Sequence, residues 1–386
     1  MSLLDDASIV VTPNGYKQGV LFSVIPSSGA ADLEVTRETA ATRVDENGLV
    51  NYAEVIGGEE ISCGNFECAV PLDYWTLASG WSIGGGKLSS SSTSTWGPYY
   101  AVGAATVGKA YKVKFSIVDY TSGTVAIRCG GTQSSGFSAL GDYEVILVAS
   151  VASNAFAQFK SSSSFTGSID NISVKEVTRA NVPRIDYTGG GCPHILAEPQ
   201  RTNLVTYSED FSQWGTQDKI ILTPNSVSSP SGDVNAYKII PTSTSGVHKV
   251  RENLSTVSGD YTLSIFAKQG EYKNILLWDD ILSGGLGVNL DDLSIFRNQN
   301  NQSYNIEDYG SGWVRISVTL SYSSQQILPS LYIYDNSATP KISFAGNDID
   351  GLYIWGSQVE VGSYPTSYIP NFGTAAGVTR NQDIFT

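Results

Sequence analysis

The sequence predicts an almost entirely β protein, with two antiparallel β-sandwiches of the jelly-roll type. Helical periodicity is hard to find, whereas short alternating or β-branched runs bounded by Gly, Ser, Asn and Asp recur along the chain. Only 16% of the residues are charged, so the polar surface consists mainly of Ser, Thr, Asn and Tyr side chains. This composition favours sheets over exposed helices rich in Glu and Lys. At 386 residues, the chain is long enough for about two to three domains.

The clearest strand pair lies in the first half of the chain. Residues Lys109–Val118 alternate apolar and polar side chains, Asp119–Gly123 has the composition of a turn, and Thr124–Arg128 is a second apolar run. We therefore expect a hairpin with one solvated face.

The same layout recurs later, which predicts a weak internal repeat. Asp260–Ala267 and Tyr272–Trp278 are separated by a turn, as in the first copy. Two further pairs of segments match between the halves, namely Asp142–Val148 with Gly312–Val318 and Ser168–Val177 with Asp348–Val361. Since antiparallel sheets can bury one face and leave the other solvated, each copy is expected to form one sandwich.

The chain is expected to divide into five segments. The leading strands, Ser8–Thr12 and Gly19–Pro26, are too few to bury each other, so we expect them to pack on a neighbouring subunit. The segments are an N-terminal anchoring segment with short strands (1–63), the first sandwich (64–180), a connector rich in Pro and Gly (181–202), the second sandwich (203–370) and a C-terminal tail (371–386).

The charge balance excludes several classes of partner. The chain has 37 acidic and 23 basic residues, a formal net charge of -14, which argues against nucleic acid and anionic membranes and favours neutral partners. With two histidines, His194 and His248, the common zinc sites cannot form, and no metal or cofactor is expected. A structural calcium ion at Asp348 and Asp350 remains an alternative.

Catalysis is not expected. The adjacent carboxylates Asp279–Asp280 and Asp291–Asp292 would point to opposite faces of a strand. Such pairs cannot flank one glycosidic bond. Four cysteines, Cys63, Cys68, Cys129 and Cys192, are too few for a disulfide scaffold, so free thiols are expected. The sequence starts without a recognisable export signal, which predicts synthesis in a cytoplasm.

Aromatic residues suggest a binding surface. The chain has 7 Trp and 21 Tyr, and sugar rings stack their C–H faces on such side chains while their hydroxyls bond to nearby polar groups. For each candidate, packing in the core is the alternative interpretation. The candidate glycan-binding residues are Trp96, Tyr99 and Tyr100 in the first sandwich, and Trp278, Asp279, Tyr332 and Tyr334 in the second.

Three blocks of the sequence have more specific motifs than the rest of the chain. The connector block contains Val182–Tyr187, 189–193 and Ala197–Leu204, and continues to Trp214. The second block is Ile354–Pro370 with Val378–Arg380, and the third is the opening, Ser2–Ser8, Thr12–Lys17 and 36–43. Together these blocks cover about half of the chain, and they resemble virion appendage proteins of tailed bacteriophages, the class of tail fibres and head fibres. The sandwich interiors diverge from that class.

The resemblance implies domains similar to carbohydrate-binding modules, displayed on a virion for adhesion to host or environmental glycans. It also implies a homo-oligomer, with a trimer as the specific expectation, attached to other virion proteins through the N-terminal segment. Synthesis in the host bacterial cytoplasm fits this assignment. Two alternatives remain: a purely structural protein that decorates or cements the capsid, and a glycan-degrading enzyme.

Overall fold

The structure is a computed structural model, and it confirms the predicted all-β class. Its strands pair in antiparallel sheets, and the described helices are four short 3-10 segments. None of these helices has the length and hydropathy needed to cross a membrane. The structure describes residues 15–22, 33–93, 96–152, 156–161, 164–190 and 193–386. The 3-10 segments are Pro71–Asp73, Thr188–Gly190, Phe211–Gln213 and Gln299–Asn301.

The chain forms two compact units whose boundaries differ from those expected. The first unit is residues 54–178, and the second combines the described residues before 54 with residues 179–386. The N-terminal segment is thus divided at 53/54 instead of ending at 63, and the connector and the C-terminal tail belong to the second unit. Its leading strands are β1 (Gly15–Lys17), β2 (Val20–Phe22), β3 (Leu33–Thr36), β4 (Thr42–Val44) and β5 (Val50–Tyr52).

The first unit is a β-sandwich. Its five-stranded sheet has the order β13-β12-β15-β10-β7, and its six-stranded sheet has the order β14-β11-β16-β9-β8 with β6 added on β16. Side chains from both sheets, including Phe115, Ile127 and Phe159, fill the core between them. The strands are β6 (Val55–Glu59), β7 (Trp75–Thr76), β8 (Trp81–Gly84), β9 (Lys87–Thr93), β10 (Trp96–Tyr100), β11 (Ala110–Ser122), β12 (Val125–Cys129), β13 (Thr132–Gln133), β14 (Gly141–Val148), β15 (Gln158–Ser161) and β16 (Phe165–Thr178).

The second unit contains a sandwich with more strands. They are β17 (Ile185–Asp186), β18 (His194–Ile195), β19 (Arg201–Asn203), β20 (Thr216–Asp218), β21 (Ile220–Ser228), β22 (Val234–Pro241), β23 (Gly246–Arg251), β24 (Thr256–Lys268), β25 (Asn274–Asp279), β26 (Gly284–Asn289), β27 (Ile295–Asn298), β28 (Tyr304–Asp308), β29 (Trp313–Gln326), β30 (Pro329–Tyr334), β31 (Ser343–Phe344), β32 (Leu352–Val361), β33 (Val378–Arg380) and β34 (Ile384–Phe385). Its seven-stranded sheet has the order β20-β23-β30-β25-β26-β27 with β31 on β23, and its six-stranded sheet has the order β21-β22-β32-β24-β29-β28.

The strand orders confirm the internal repeat. In one sheet β13-β12-β15-β10-β7 corresponds to β26-β25-β30-β23-β20, and in the other β14-β11-β16-β9-β8 corresponds to β29-β24-β32-β22-β21. The predicted matches of β11 with β24, β12 with β25, β14 with β29 and β16 with β32 all hold. Five strands in each sheet of one sandwich therefore have a counterpart in the other.

The predicted hairpin between Lys109 and Arg128 is wrong in its pairing. Strand β11 continues through the expected turn to Ser122, because it pairs with β16 as far as Thr166. The chain then turns at Gly123 and crosses to the other sheet, where β12 pairs with β15. Jelly-roll connections of this kind cannot be distinguished from hairpins by local alternation.

The expectation that the leading strands pack on a neighbouring subunit is wrong for residues 19–22, while Ser8–Thr12 and residues 23–26 lie outside the described residues. Strand β3 pairs with β34 of the same chain, and Leu21 and Val35 pack with Ile185. Farther along, the Arg37 guanidinium donates to Asp383 Oδ1 at 2.7 Å.

Buried ion pairs hold the connector and the C-terminal tail together. The guanidinium of Arg184 donates hydrogen bonds to Asp383 and, at 2.7 Å, to Glu198. Glu198 also forms an ion pair with Arg380 at 2.7 Å. Burial raises the pKa of Glu198, but Arg184 and Arg380 outweigh it and lower that pKa below its usual range. These side chains are distant in sequence, so the second unit depends on both ends of the chain.

The expectation of free thiols is wrong for two cysteines. Cys63 and Cys68 form a disulfide that closes a short loop. Cys129 is a free thiol in the core, where burial raises its pKa to about 12. Cys192 lies outside the described residues.

Candidate functional site

The outer face of the five-stranded sheet carries two exposed aromatic rings. Trp96 pairs with Lys160 and Tyr99 with Gln158, so three steps along β10 match two steps along β15. This bulge places both rings on the face that Lys160 and Gln158 share, because alternate residues of a strand lie on one side. Trp96 is 46% exposed and Tyr99 is 39% exposed. These two predicted site residues therefore form an open aromatic surface.

Two cations lie against the indole of Trp96. The Lys160 Nζ atom is 4.7 Å from the ring centroid, and the Arg128 Cζ atom is 5.1 Å from it. Arg128 also donates to the Gln158 Oε1 atom at 3.4 Å and to the Gly131 carbonyl at 2.9 Å. We call this set the Trp96 face: Trp96, Tyr99, Arg128, Gln158 and Lys160. The sequence analysis missed its three polar members, because only the sheet brings β12, β15 and β10 side by side.

Tyr100 is not part of this surface. It follows Tyr99 in β10 and points into the core, where it is 2% exposed and its ring lies 5.4 Å from that of Trp75. Its hydroxyl accepts a hydrogen bond from the Ser62 backbone N–H at 2.9 Å. The alternation of side chains along a strand thus separates two adjacent tyrosines that the sequence analysis grouped together.

The second sandwich carries an aromatic cluster on the corresponding sheet. Trp278 on β25 and Tyr332 and Tyr334 on β30 pack with Leu276 on the outer face of this sheet. The residues that alternate with them along both strands point into the core. None of the three aromatic rings is more than 7% exposed. We call Trp278, Tyr332 and Tyr334 the Trp278 face. The structure therefore brings three predicted residues together but leaves little of them accessible.

Strand β27 covers the Trp278 face. The Arg297 Cζ atom is 4.3 Å from the Trp278 ring centroid, and its guanidinium donates to the Tyr334 hydroxyl at 3.1 Å. Phe296 packs with Tyr334 and lies over Gly287, where a Cβ atom would be 2.6 Å from the Phe296 ring. Glycine in β26 therefore lets β27 lie close to the aromatic cluster.

The polar groups of this face are paired with one another. The Asp280 carboxylate accepts a hydrogen bond from the Tyr332 hydroxyl. It also forms ion pairs with Lys249 Nζ at 2.8 Å and with Arg251 Nη1 at 3.3 Å. Burial raises the pKa of Tyr332, and hydrogen bonding to Asp280 adds to the increase. Burial also raises the pKa of Asp280, but Lys249 and its other partners lower it overall.

Asp279, a predicted sugar contact, lies on the opposite side of β25 and is fully buried. Its Oδ1 atom accepts from the backbone of Ile281 and Leu282, and its Oδ2 atom accepts from Leu328 at 2.7 Å and from the Tyr322 hydroxyl at 3.1 Å. Burial and this carboxylate raise the pKa of Tyr322. Asp279 therefore fastens a loop and does not face a ligand.

The second unit also contains a polar cleft of about 520 Å³. Tyr304 and Tyr364 line it and are 47% and 49% exposed. Within it, the His194 Nε2 atom lies 3.5 Å from the Asp186 Oδ2 atom, and the same oxygen accepts from the Thr188 N–H at 3.0 Å. Aromatic rings beside carboxylate and imidazole groups suit a ligand rich in hydroxyls. The sequence analysis did not predict this cleft, because its walls come from segments far apart in the chain.

The carboxylates considered as alternatives occupy loops. Asp291 forms an ion pair with Lys273 at 3.1 Å, and Asp348 accepts from the Ser243 N–H at 2.9 Å. Asp350 accepts from the Asn347 side-chain amide at 2.6 Å. Within the part of the chain that the structure describes, no group of three or more His, Cys, Asp and Glu side chains is arranged to hold a metal ion.

No family model and no curated protein matches the chain. Among solved structures, it is similar to the tandem CBM22-1-CBM22-2 domain of Paenibacillus barcinonensis Xyn10C, with 12% identity and a TM-score of 0.22 over 86% of this chain and 98% of that one. An anti-sigma factor domain-containing protein has 9% identity and a TM-score of 0.18 over 71% and 82% of the two chains. Another, from Clostridium clariflavum, has 10% identity and a TM-score of 0.19 over 88% and 99%. TM-scores this low carry no argument about function.

Proposed function

We propose that this protein is a non-catalytic surface protein of a tailed-bacteriophage virion, a fibre or decoration protein that binds glycans through the Trp96 face. The sequence blocks around the connector, the C-terminal region and the opening support the virion assignment. The observation that carries glycan binding is the half-exposed indole of Trp96 on a sheet face with Tyr99 and Gln158. The rings supply an apolar platform, and the amide supplies donor and acceptor atoms for sugar hydroxyls.

The neighbours of Trp96 distinguish it from an ordinary exposed hydrophobic residue. Single apolar side chains on a protein surface are common and have no implied function. Here the indole contacts Lys160 of β15 and Arg128 of β12, and these contacts restrict its rotation before any ligand binds. A platform that is already ordered loses less conformational entropy on binding.

The proposed partners follow from the virion assignment. The protein assembles as a homo-oligomer, with a trimer as the specific expectation, attaches to other virion proteins and is synthesised in the host bacterial cytoplasm. Nucleic acid and membrane are not proposed partners. Purified particles analysed by mass spectrometry and by imaging should contain this chain in a regular, symmetric arrangement. Particles that lack it would contradict the virion assignment.

Glycan binding is tested with the full chain on an array of bacterial surface polysaccharides. Trp96→Ala should lower the affinity for every bound glycan at least tenfold. Trp278→Phe is the matched control, and it should leave binding unchanged because Arg297 covers Trp278. If Trp96→Ala binds like the unmodified protein while Tyr304→Ala does not, the polar cleft is the binding site and the proposal for the Trp96 face is wrong.

A further inference from the structure

We infer that the Trp96 face selects acidic glycans, with Lys160 and Arg128 receiving the carboxylate of a sugar that stacks on Trp96. The inference rests on the proposed glycan binding and specifies its ligand class. It also departs from the net charge of -14, which by itself favours neutral ligands. The few cations of the first unit differ in their positions and in their carboxylate partners.

The cations of the first unit fall into two groups. Residues 54–178 contain seven Lys and Arg side chains. Four of them form ion pairs, with Asp119, Glu176, Glu54 and Glu144. The four are Lys87, Lys109, Lys112 and Lys114.

The remaining cations are Arg128, Lys160 and Lys175, and two of these three lie on the ring of Trp96. Among the described residues of this unit, no carboxylate lies within ion-pair distance of Arg128 or Lys160. The unit has more acidic than basic residues, so this absence is not explained by a shortage of carboxylates. The open aromatic face is therefore a local concentration of uncompensated positive charge.

The geometry suits a carboxylated sugar. Both cations are half-buried and lie 4.7 Å and 5.1 Å from the centroid of the indole. A carboxylate on a sugar ring that contacts Trp96 is therefore within reach of both of them. Hydrogen bonds between ionised partners are about twice as strong as neutral ones, and Arg can bind a carboxylate through two parallel N–H groups. The ring provides the affinity common to sugars, and the cations provide the preference for acidic ones.

The second sandwich is an internal comparison. Its corresponding strand β23 carries Lys249 and Arg251, but both bind Asp280. The cation on its tryptophan, Arg297, donates to the Tyr334 hydroxyl and covers the ring. In that sheet Lys249 and Arg251 have a carboxylate partner, and Arg297 lies over a buried ring. Among the residues compared here, cations without a carboxylate partner therefore lie beside an exposed aromatic ring in the first sandwich alone.

The test uses the full chain and pairs of glycans that differ only in charge. Each acidic oligosaccharide carrying uronic acids is compared with its carboxyl-reduced form by calorimetry at low and high salt. We expect the acidic form to bind at least tenfold more tightly at low salt, with the difference falling as salt rises, since screening weakens exposed charge pairs. A sulfated oligosaccharide of the same backbone forms a third arm, and equal binding of sulfate and carboxylate would overturn the specific assignment to carboxylate.

Three variants locate the selectivity. Lys160→Gln and Arg128→Gln should each lower the affinity for the acidic glycan about tenfold and leave the affinity for its reduced form unchanged, which also shows that the face is still folded. Lys175→Gln, which removes the same charge from the other sheet, should change neither affinity. If Lys175→Gln lowers acidic binding as much as Lys160→Gln does, the preference reflects net charge and the inference is wrong.

The outcomes separate the two proposals. Equal binding of the acidic and reduced glycans, both abolished by Trp96→Ala, would overturn the inference and leave the proposed function intact. Binding of neither set would contradict the proposed function itself. Tighter binding of the acidic set that persists in both Lys160→Gln and Arg128→Gln would place the anion elsewhere and overturn the inference.

Discussion

The two sandwiches have the same strand order but differ in what they do with an aromatic outer face. In the first, Trp96 remains accessible between two cations that lack carboxylate partners. In the second, Trp278 lies under Arg297, and its neighbouring cations bind Asp280. The difference shows that a repeated topology conserves positions in a sheet without conserving the surface that those positions form.

One added strand accounts for the cover of the Trp278 face. The seven-stranded sheet continues past β26 to β27, whereas the corresponding sheet of the first sandwich ends at β13. Strand β27 contributes both Phe296 and Arg297, the side chains that cover the aromatic cluster. In the first sandwich Trp96 lies on β10, three strands away from β13, so a further strand at that edge would not reach its ring.

The largest expected effect concerns the ion pairs that distinguish the second unit. Asp383→Asn leaves Arg37 and Arg184 buried without their shared carboxylate, and it should lower the free energy of unfolding by about 3–5 kcal/mol. The exposed pair of Lys87 and Asp119 in the first unit is the control, and Asp119→Asn should produce no measurable change. Unfolding titrations with guanidinium chloride measure the free energy of unfolding of both variants. Equal losses for the two would show that the buried network has no special role.

An intermediate effect should appear as a dependence on pH. Glu209 accepts from the Tyr368 hydroxyl and the Asn235 amide, each at 3.1 Å, and burial raises its pKa from 4.5 to about 7. A raised carboxyl pKa favours the folded state at low pH, and this contribution is lost as pH rises from 4.5 through about 7. Relative to Glu209→Gln, the unmodified protein should lose about 2–3 kcal/mol of stability across that range.

Urea titrations of both proteins at several pH values measure this difference. The glutamine side chain has the same size as glutamate and does not titrate. Its stability curve is therefore the baseline for the unmodified protein. Parallel stability curves for the two proteins between pH 4 and 8 would contradict the raised pKa.

The smallest expected effect tests the cover of the Trp278 face. Arg297→Ala removes the cation over the indole and the hydrogen bond to Tyr334, and it should cost about 1 kcal/mol of stability. It should also increase the quenching of tryptophan fluorescence by acrylamide, because Trp278 becomes accessible. Lys249→Ala is the matched control, since its ammonium binds Asp280 beside Tyr332 and does not cover Trp278. Unchanged quenching in Arg297→Ala would mean that other residues close this face.

Particular residues show how far the sequence could be interpreted. Alternation along the strands predicted the two sandwiches and their repeat, since hydrophobic burial imposes a period of two on any half-buried strand. The same pattern could not decide whether β11 and β12 pair, because both a hairpin and a crossing between sheets satisfy it. Trp96 and Tyr99 were predicted as site residues and are exposed, whereas Tyr100 and Asp279 point into the core. A bulge in β10 and a loop at Asp279 decide these directions, and neither has a clear local signal.

By itself, the amino-acid sequence determined the all-β class, the two related sandwiches and a shortage of positive charge. These properties depend on local alternation and on counts, which are independent of how distant segments meet. Tertiary structure alone decided that Arg37, Arg184 and Asp383 share one buried network and that Lys160 and Arg128 meet at Trp96. Side chains on different strands become neighbours only when the sheets assemble, so the placement of a few charges could not be inferred from their number.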